Sequence, residues 1–277
     1  MKSDAPAPTR GSTHELSIGV RANETLWQIF AVADAEVRKL RHDPMELFTR
    51  AVQPVLWLVL FGEVMAQIRG LNGGTVPYLD FLAAGILAQS VLFAAIFYGI
   101  SAIWERDLGV LHRYLVSPAP RIALVTGKAI SSGIRGLSQA VVVYLLALVL
   151  GVSLKIEVAP MLGVIALIAL GSALFSTLSL IIACLVKSRE RFMGIGQVVT
   201  MPIFFASNAI YPIDLMPPWL RAVAHANPLT YEVDGLRALM LEGGASAFGL
   251  VADFGVLLGT TAVLLVIAAR LYPRMVA

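Results

Sequence analysis

Few residues in this sequence have the company that catalysis requires. Gly127-Lys128 is its one Gly-Lys pair. A nucleotide phosphate loop would place a glycine five residues before that glycine, for a tight turn, and a Ser or Thr after the lysine, to hold magnesium. Ile122 and Ala129 occupy those positions, so the pair is a decoy, and any energy source would have to be another chain or an ion gradient. His14, His42, His112 and His225 show no metal-ligand spacing, and no HExxH pattern is present. Cys184 is the sole cysteine and sits in an apolar run. It excludes an intramolecular disulfide and a cysteine-rich metal site, and reads as a small apolar side chain. Neither a bound metal nor a nucleic-acid partner is expected. What remains is Glu63, a carboxylate among apolar residues, and a scatter of basic residues whose meaning depends on the elements that carry them.

Those elements are mostly apolar. Of 277 residues, 58% are hydrophobic and 14% charged, and the mean hydropathy is +0.80. Soluble domains carry about a quarter charged residues; this balance suits a surface facing lipid. A membrane span needs roughly 20 mainly apolar residues, and stretches near 51–68, 81–103, 124–152, 160–186, 192–211 and 248–271 qualify. The expected fold is an all-α integral membrane protein with six transmembrane helices. The third stretch carries Lys128 and Arg135, so its helix is expected to begin in the cytosol near Leu124 and to enter the membrane around Arg135. Charge in lipid is costly. Glu63 is therefore expected to face protein or a watery cavity, where it is a candidate for lining a substrate path, or to sit close to the outer headgroups. Asp253 reads as interfacial, and Gly255 with Gly259 forms a GxxxG pair that permits close helix packing.

Residues 1–23 are polar and rich in Pro, Ser, Thr and Gly, and read as a disordered cytosolic tail rather than a cleavable signal. Over 24–43, Leu26, Phe30, Ala33, Val37 and Leu40 recur at steps of three and four among charged positions. This predicts an amphipathic helix, lying in the membrane interface with Trp27 at headgroup depth or packed on a soluble partner. With the N-terminus inside, seventeen of the 21 Lys and Arg residues fall on the inner side, and Arg69, Lys155, Arg221 and Arg237 fall outside. The excess of inner positive charge predicts a multi-pass plasma-membrane protein with both termini cytoplasmic.

Two loops are unlike simple connections. On the inner side, Glu105 to Arg121 reads ERDLGVLHRYLVSPAPR. Leu108, Leu111 (or His112) and Leu115 share a helical face, and Ser117-Pro118-Ala119-Pro120 ends the helix. Such a helix can lie on the membrane or dock in a groove of a soluble partner. On the outer side, Tyr211 to Gly244 is too apolar for a free loop and too broken by proline for a span. Pro217-Pro218 opens one short helix, and Asn227-Pro228 caps and opens a second. In the second, Leu229, Val233, Leu236 and Met240 form one face, with Glu232 and Asp234 on others, and Asp234 stands three residues from Arg237, close enough to pair. An apolar hairpin of this kind is expected to dip into the membrane and return.

The run AIYPIDLMPPWLRAVAHANPLTYEVDGLRALML, Ala209 to Leu241, resembles the signature of ABC type-2 exporter permeases. That family has a proline after span five, a Pro-Trp-Leu element, then Asn-Pro-Leu-Thr with a downstream Asp and Arg. Pro212, Pro218, Trp219, Leu220, Asn227, Pro228, Leu229, Thr230, Asp234 and Arg237 match in order. The inner loop is similar to the family's coupling helix at Glu105, Arg106, Gly109, Leu111, Arg113 and Pro118, while Val110 and His112 stand where Thr and Glu are common. Leu180 to Gln197 resembles the turn between spans four and five. The likeness covers nearly everything beyond residue 24 and is nearest to the drug-resistance and lipooligosaccharide branch.

The resemblance implies a transport subunit without an ATPase site of its own, so not itself an enzyme. It would work with two copies of a separate ABC ATPase that bind ATP and magnesium, and with a second permease copy or a sister permease, in membrane lipid. The interfacial helix and the coupling helix would receive the ATPases, and the hairpin would close the outer end. Cargo would be an amphipathic drug, lipid or lipid-linked glycan leaving the cytoplasm or inner leaflet. Two other classes compete. An ion-coupled secondary carrier would need ionisable groups at the midplane or paired broken helices, for which Glu63 alone speaks. A membrane-embedded transferase would need Asp, His or Arg clustered at one membrane face.

Overall fold

The structure, a computed structural model, describes residues 52–66, 77–108, 121–186 and 188–272, apart from the side chains of Glu63, Ala66 and residues 121–126. The expected interfacial helix at 24–43 lies outside the described residues, as do Gly109, Leu111, Arg113 and Pro118.

Everything described is helix and short connection. Helix α1, Val52–Gly62, is π-wound over Leu56–Gly62 and runs into a single turn, α2, Glu63–Ala66. There follow α3, Tyr78–Tyr98; α4, Ile100–Asp107; α5, Arg121–Val149; α6, Val158–Leu185; α7, Arg189–Phe205; α8, Pro218–Ala226; α9, Pro228–Met240; and α10, Leu250–Leu271. A lone bridge between Leu154 and Leu241 is the extent of β pairing among the described residues. Among the described residues, four stretches are long and apolar enough to cross a membrane: Tyr78–Asp107, Gly127–Val149, Val158–Leu185 and Leu250–Leu271. The stretches expected as spans one and five hold shorter helices. α7 covers 17 residues, starts three residues ahead of the expected stretch with Ser188 as cap, and stops at Phe205, where Ala206 to Tyr211 turns away.

Helix α3 stands at the centre, against α1, α5, α6, α7 and α9. Its sequence explains this. Ala83, Ala84, Gly85 and Ala88 are small and fully buried, and small residues let helix backbones approach in lipid, where apolar side chains gain little by leaving the acyl chains. At Gly85 the approach is closest: a Cβ there would lie 2.1 Å from the carbonyl oxygen of Ala209. Between the small residues, Leu82, Ile86, Leu87, Val91, Leu92 and Ile96 fill a core shared with Leu167, Leu174 and Phe175 of α6 and the apolar face of α9. A second, smaller core gathers Ile103, Leu180, Phe192, Ala268 and Tyr272 at the opposite end from the hairpin. α10 is the reverse of α3, with Val251, Leu258, Val263 and Val266 exposed, as a helix facing lipid or another subunit would be.

Candidate functional site

The two ends of the bundle carry its polar groups. At one end α8 and α9 form the hairpin. Pro218 starts α8 at its first position, where a missing N–H costs nothing. Asn227 ends α8 and caps α9: its Oδ1 accepts from Leu229 N at 3.0 Å, while its Nδ2 donates to the carbonyl of Ile203 on α7 at 2.6 Å. One side chain therefore starts a helix and ties it to the preceding one. Leu229, Val233, Leu236 and Met240 are all fully buried, on the face their spacing predicts.

The polar residues of α9 depart from expectation, because the helix is buried almost all round. Glu232, Asp234 and Arg237 are buried too. Arg237 and Asp234 turn to different partners rather than to each other. The Arg237 guanidinium donates to the carbonyls of Asn208, Ala209 (3.4 Å) and Phe81 (3.4 Å), and lies 3.4 Å from the centroid of the Phe81 ring. Arg237 thus satisfies carbonyls of the turn after α7 and of the first turn of α3 together. Asp234 Oδ2 accepts from Ser246 Oγ at 2.7 Å and from Phe248 N at 3.1 Å. Ser246 also lies 2.9 Å from Asp253 Oδ2, so two carboxylates compete for one hydroxyl proton. Asp253, expected at the interface, is fully buried by this arrangement. Glu232 is pressed against α6, where a Cβ on Gly171 would meet its Oε1 at 2.2 Å, and neither carboxylate oxygen has a hydrogen-bond partner among the described residues.

The connection from α5 to α6 closes this end from the side. Lys155 N and Nζ donate to the carbonyls of Met240 and Ala238, both at 2.9 Å, and Glu242 N donates to Ser153 O at 2.9 Å. Asp80 on α3 accepts from Ser153 N, and Tyr78 donates to Ile210 O at 2.9 Å. Of the remaining signature residues, Thr230 is fully buried, Pro228 is half-buried and Pro218 is exposed. Pro212 and Leu220 are half-buried, and Trp219 is 69% exposed.

At the other end the sequence ERD, where the inner loop begins, is held by three elements. Lys128 of α5 spans both oxygens of Glu105, at 2.8 and 2.7 Å. Arg106 donates to Val186 O at 3.2 Å, beyond the end of α6, and pairs with Asp107 at 3.1 Å. Arg189, opening α7, reaches Asp107 at 2.9 Å and stacks over Trp104 at 3.6 Å. Glu105 and Arg106 are thus brought together with Lys128, the lysine of the decoy nucleotide pair, and with Asp107, Arg189 and Trp104, which sequence reading left out. The exit from α4 is locked to α5 and α7. Glu63 falls in α2, and its side chain lies outside the described residues.

Membrane-length apolar helices, with a proline-opened hairpin at one end and an ion-paired helix junction at the other, are the architecture of an integral membrane protein. The chain belongs to the ABC-2 type transporter family, whose model matches residues 27–241, and is a permease subunit of an ABC transporter. It is 26% identical to the putative transport permease ycf38 of Cyanophora paradoxa, over 91% of this chain and 89% of that one. It is 24% identical to the daunorubicin resistance ABC transporter permease protein DrrB1 of Streptomyces coeruleorubidus, over 85% and 81%. It is also 28% identical to nodulation protein J of Rhizobium leguminosarum bv. trifolii, over 70% and 74%.

Proposed function

We propose that this chain is one half of the membrane path of an ATP-driven exporter in the plasma membrane. It crosses six times with both termini in the cytoplasm, and its hairpin re-enters the membrane from outside. Two separate ABC ATPase subunits bind ATP and magnesium and dock on the inner loop and on the helix at 24–43, and a second permease, identical or a sister chain, completes the path. Cargo is amphipathic: a drug, a lipid or a lipid-linked glycan leaving the cytoplasm or inner leaflet. A relative named for daunorubicin resistance supports the first of these.

The observation that carries this reading is the ion-paired junction at Glu105–Asp107. A loop that only connected two spans would need no tether. This one leaves α4 through Glu105, Arg106 and Asp107, each bound to another helix or to the turn before it. Force applied beyond Leu108 would reach α5 and α7 directly. Closure of the ATPases, transmitted in this way, would switch the path between inward and outward access.

Copurification tests the proposal. Co-expressed with its neighbouring reading frames, the tagged chain is expected to bring down a protein with Walker motifs and ATP-dependent transport activity. Recovery of the chain with no such protein, or transport driven by an ion gradient alone, refutes it. Arg113→Glu in the inner loop is expected to leave the chain folded and abolish transport; wild-type transport would count against the docking role.

A further inference from the structure

Ser246, in the connection from α9 to α10, has more neighbours than one hydroxyl proton can serve. Its Oγ lies 2.7 Å from Asp234 Oδ2, 2.9 Å from Asp253 Oδ2 and 2.7 Å from Gly249 N. Gly249 reaches it from a left-handed turn, φ 88°, that other residues enter only with strain. A serine hydroxyl offers one proton and two lone pairs. The Gly249 N–H occupies one lone pair, and the single proton goes to one carboxylate. The second lone pair then faces the other carboxylate oxygen, and two oxygens so close repel unless a proton stands between them.

The surroundings decide which carboxyl holds that second proton. Asp234 Oδ2 also accepts from Phe248 N at 3.1 Å, as an ionised oxygen does. Asp253 is fully buried, and its Oδ1 has no hydrogen-bond partner among the described residues. That orphaned oxygen is independent of the bonds at Ser246. It suits the carbonyl of a neutral acid, because a buried charge without donors costs far more. The Ser246 hydroxyl stands where a bridging cation would stand, and no group of three His, Cys, Asp or Glu among the described residues could hold a metal.

Helices α5, α6 and α9 pack against α10. Over Val158–Leu185, α6 carries Cys184 at its far end and no charged residue or histidine. α5 carries Lys128 and Arg135 toward the opposite end of the bundle, with Tyr144 nearer the hairpin. On α9, Glu232 turns to α6, and Arg237 to the carbonyls of Phe81, Asn208 and Ala209. His225 and Tyr231 pack their rings on Phe248 in the connection itself.

We propose that Asp253 and Asp234 form, through Ser246, a proton-binding site that clasps the hairpin to α10. Asp253 Oδ2–H donates to Ser246 Oγ, and Ser246 Oγ–H donates to Asp234 Oδ2. Loss of the proton sets two charges against one hydroxyl and loosens the connection, so the clasp is closed at low pH and opens as pH rises. Ser246 is half-buried between the exposed Ala245 and Ala247, which gives the proton a short way in. The proposal goes beyond the exporter reading and rests on it only for the side of the membrane, the outer one, from which the proton comes.

The test uses the full-length chain, in the complex in which it is isolated, in an ester-free detergent. Infrared difference spectra, wild type minus Asp253→Asn, read the carbonyl stretch of a protonated carboxylic acid. Near neutral pH a band that shifts in heavy water is expected, and it should be lost as pH rises. Asp234→Asn removes the competitor and frees the Ser246 proton for Asp253, so the same difference taken in that background should lose the band near neutral pH. Ala247→Cys, labelled by a membrane-impermeant maleimide and read by mass spectrometry, reports the clasp. Corrected for thiol ionisation, its labelling rate should rise about tenfold from about pH 6 to about pH 8, since a charged hydrogen bond is worth about 1.5–3 kcal/mol, and Asp253→Asn should remove that rise. A difference spectrum without the band, a band that persists in Asp234→Asn, or equal pH dependence of labelling with and without Asp253→Asn would overturn the proposal. So would stabilisation by a divalent cation that Asp253→Asn abolishes. None of these readouts needs transport or an ATPase, so failure of the site is distinguishable from failure of the exporter reading.

Discussion

Gly85→Ala sets two magnitudes against each other. Alanine in place of glycine in a helix interior gains about 1 kcal/mol from intrinsic propensity. Against this stands the approach of α3 to the turn after α7, where the new methyl would lie 2.1 Å from the Ala209 carbonyl oxygen, 2.8 Å from its carbon and 2.9 Å from its Cα. A relaxed carbon–oxygen contact needs about 3.3 Å, so one backbone must retreat by about 1 Å, and a backbone has no rotamer to escape into. Overpacking of this kind costs about 1–3 kcal/mol. The retreat also pulls Ala209 from Arg237, and a hydrogen bond to a charged group is worth about 1.5–3 kcal/mol. The net expectation is a loss of about 3 kcal/mol, or a fall in Tm of roughly 6–12 °C at about 2–4 °C per kcal/mol. The assay is thermal unfolding of the purified protein in one detergent, followed by intrinsic fluorescence. Gly255→Ala is the matched control, because a Cβ there meets nothing within 4 Å; its Tm should hold or rise. If Gly85→Ala melts at or above wild type while remaining monodisperse, the reasoning from close backbone approach is wrong.

Other perturbations follow from the polar ends. Glu105→Gln and Lys128→Met should each weaken the α4–α5 junction, with a coupling energy of about 0.5–1 kcal/mol for a half-exposed pair, read from a double-mutant thermal-melt cycle; strictly additive effects would mean that the pair contributes nothing. Ser246→Ala removes the one proton that Asp234 and Asp253 compete for, and should cost about 1–3 kcal/mol, detected as a lower Tm that Asp253→Asn partly restores. Glu232→Gln should match or exceed wild-type Tm, because a buried carboxylate with no donor among the described residues is costly in its charged form, whereas a fall of several degrees would mean that the carboxylate has a partner. Gly171→Ala should lower Tm by less than Gly85→Ala, since its methyl meets the end of the Glu232 side chain at 2.2 Å, which can rotate aside where a backbone cannot.

Local chemistry made the hairpin legible. Asn227-Pro228 announces a helix start through a cap and a ring that fits the first turn, and Leu229, Val233, Leu236 and Met240 announce a buried face by period alone. Burial of the opposite face was not legible. It depends on Gly171, some sixty residues earlier in the chain, leaving space for Glu232, and on the Ser246–Phe248 segment supplying donors to Asp234. Pairing of Asp234 with Arg237 was a sound expectation for a solvated helix, where spacing decides. In a buried helix the carbonyls of neighbouring turns compete, and here they prevail. The same limit applies at the charged end. Glu105 was marked by the loop it opens, but Lys128 lies 23 residues away, and its role as partner appears only when α4 and α5 lie side by side. Arg135 was legible as a charge in an apolar stretch; its place 5.1 Å from the centroid of the Tyr98 ring required α3 and α5 to lie side by side.

Arg237 has a mechanical consequence. By gripping the carbonyls of Phe81, Asn208 and Ala209 it fastens the hairpin to the first turn of α3, a helix about 30 Å long at 1.5 Å per residue. The far end of that helix continues through Gly99 into α4 and the tethered junction at Glu105. The cap is therefore a rider on α3 and not a lid on a hinge of its own: a tilt imposed at Glu105 would reach the hairpin as a sideways swing of the whole end. Cutting the fastening, as Arg237→Met would, leaves the rod to tilt without its load.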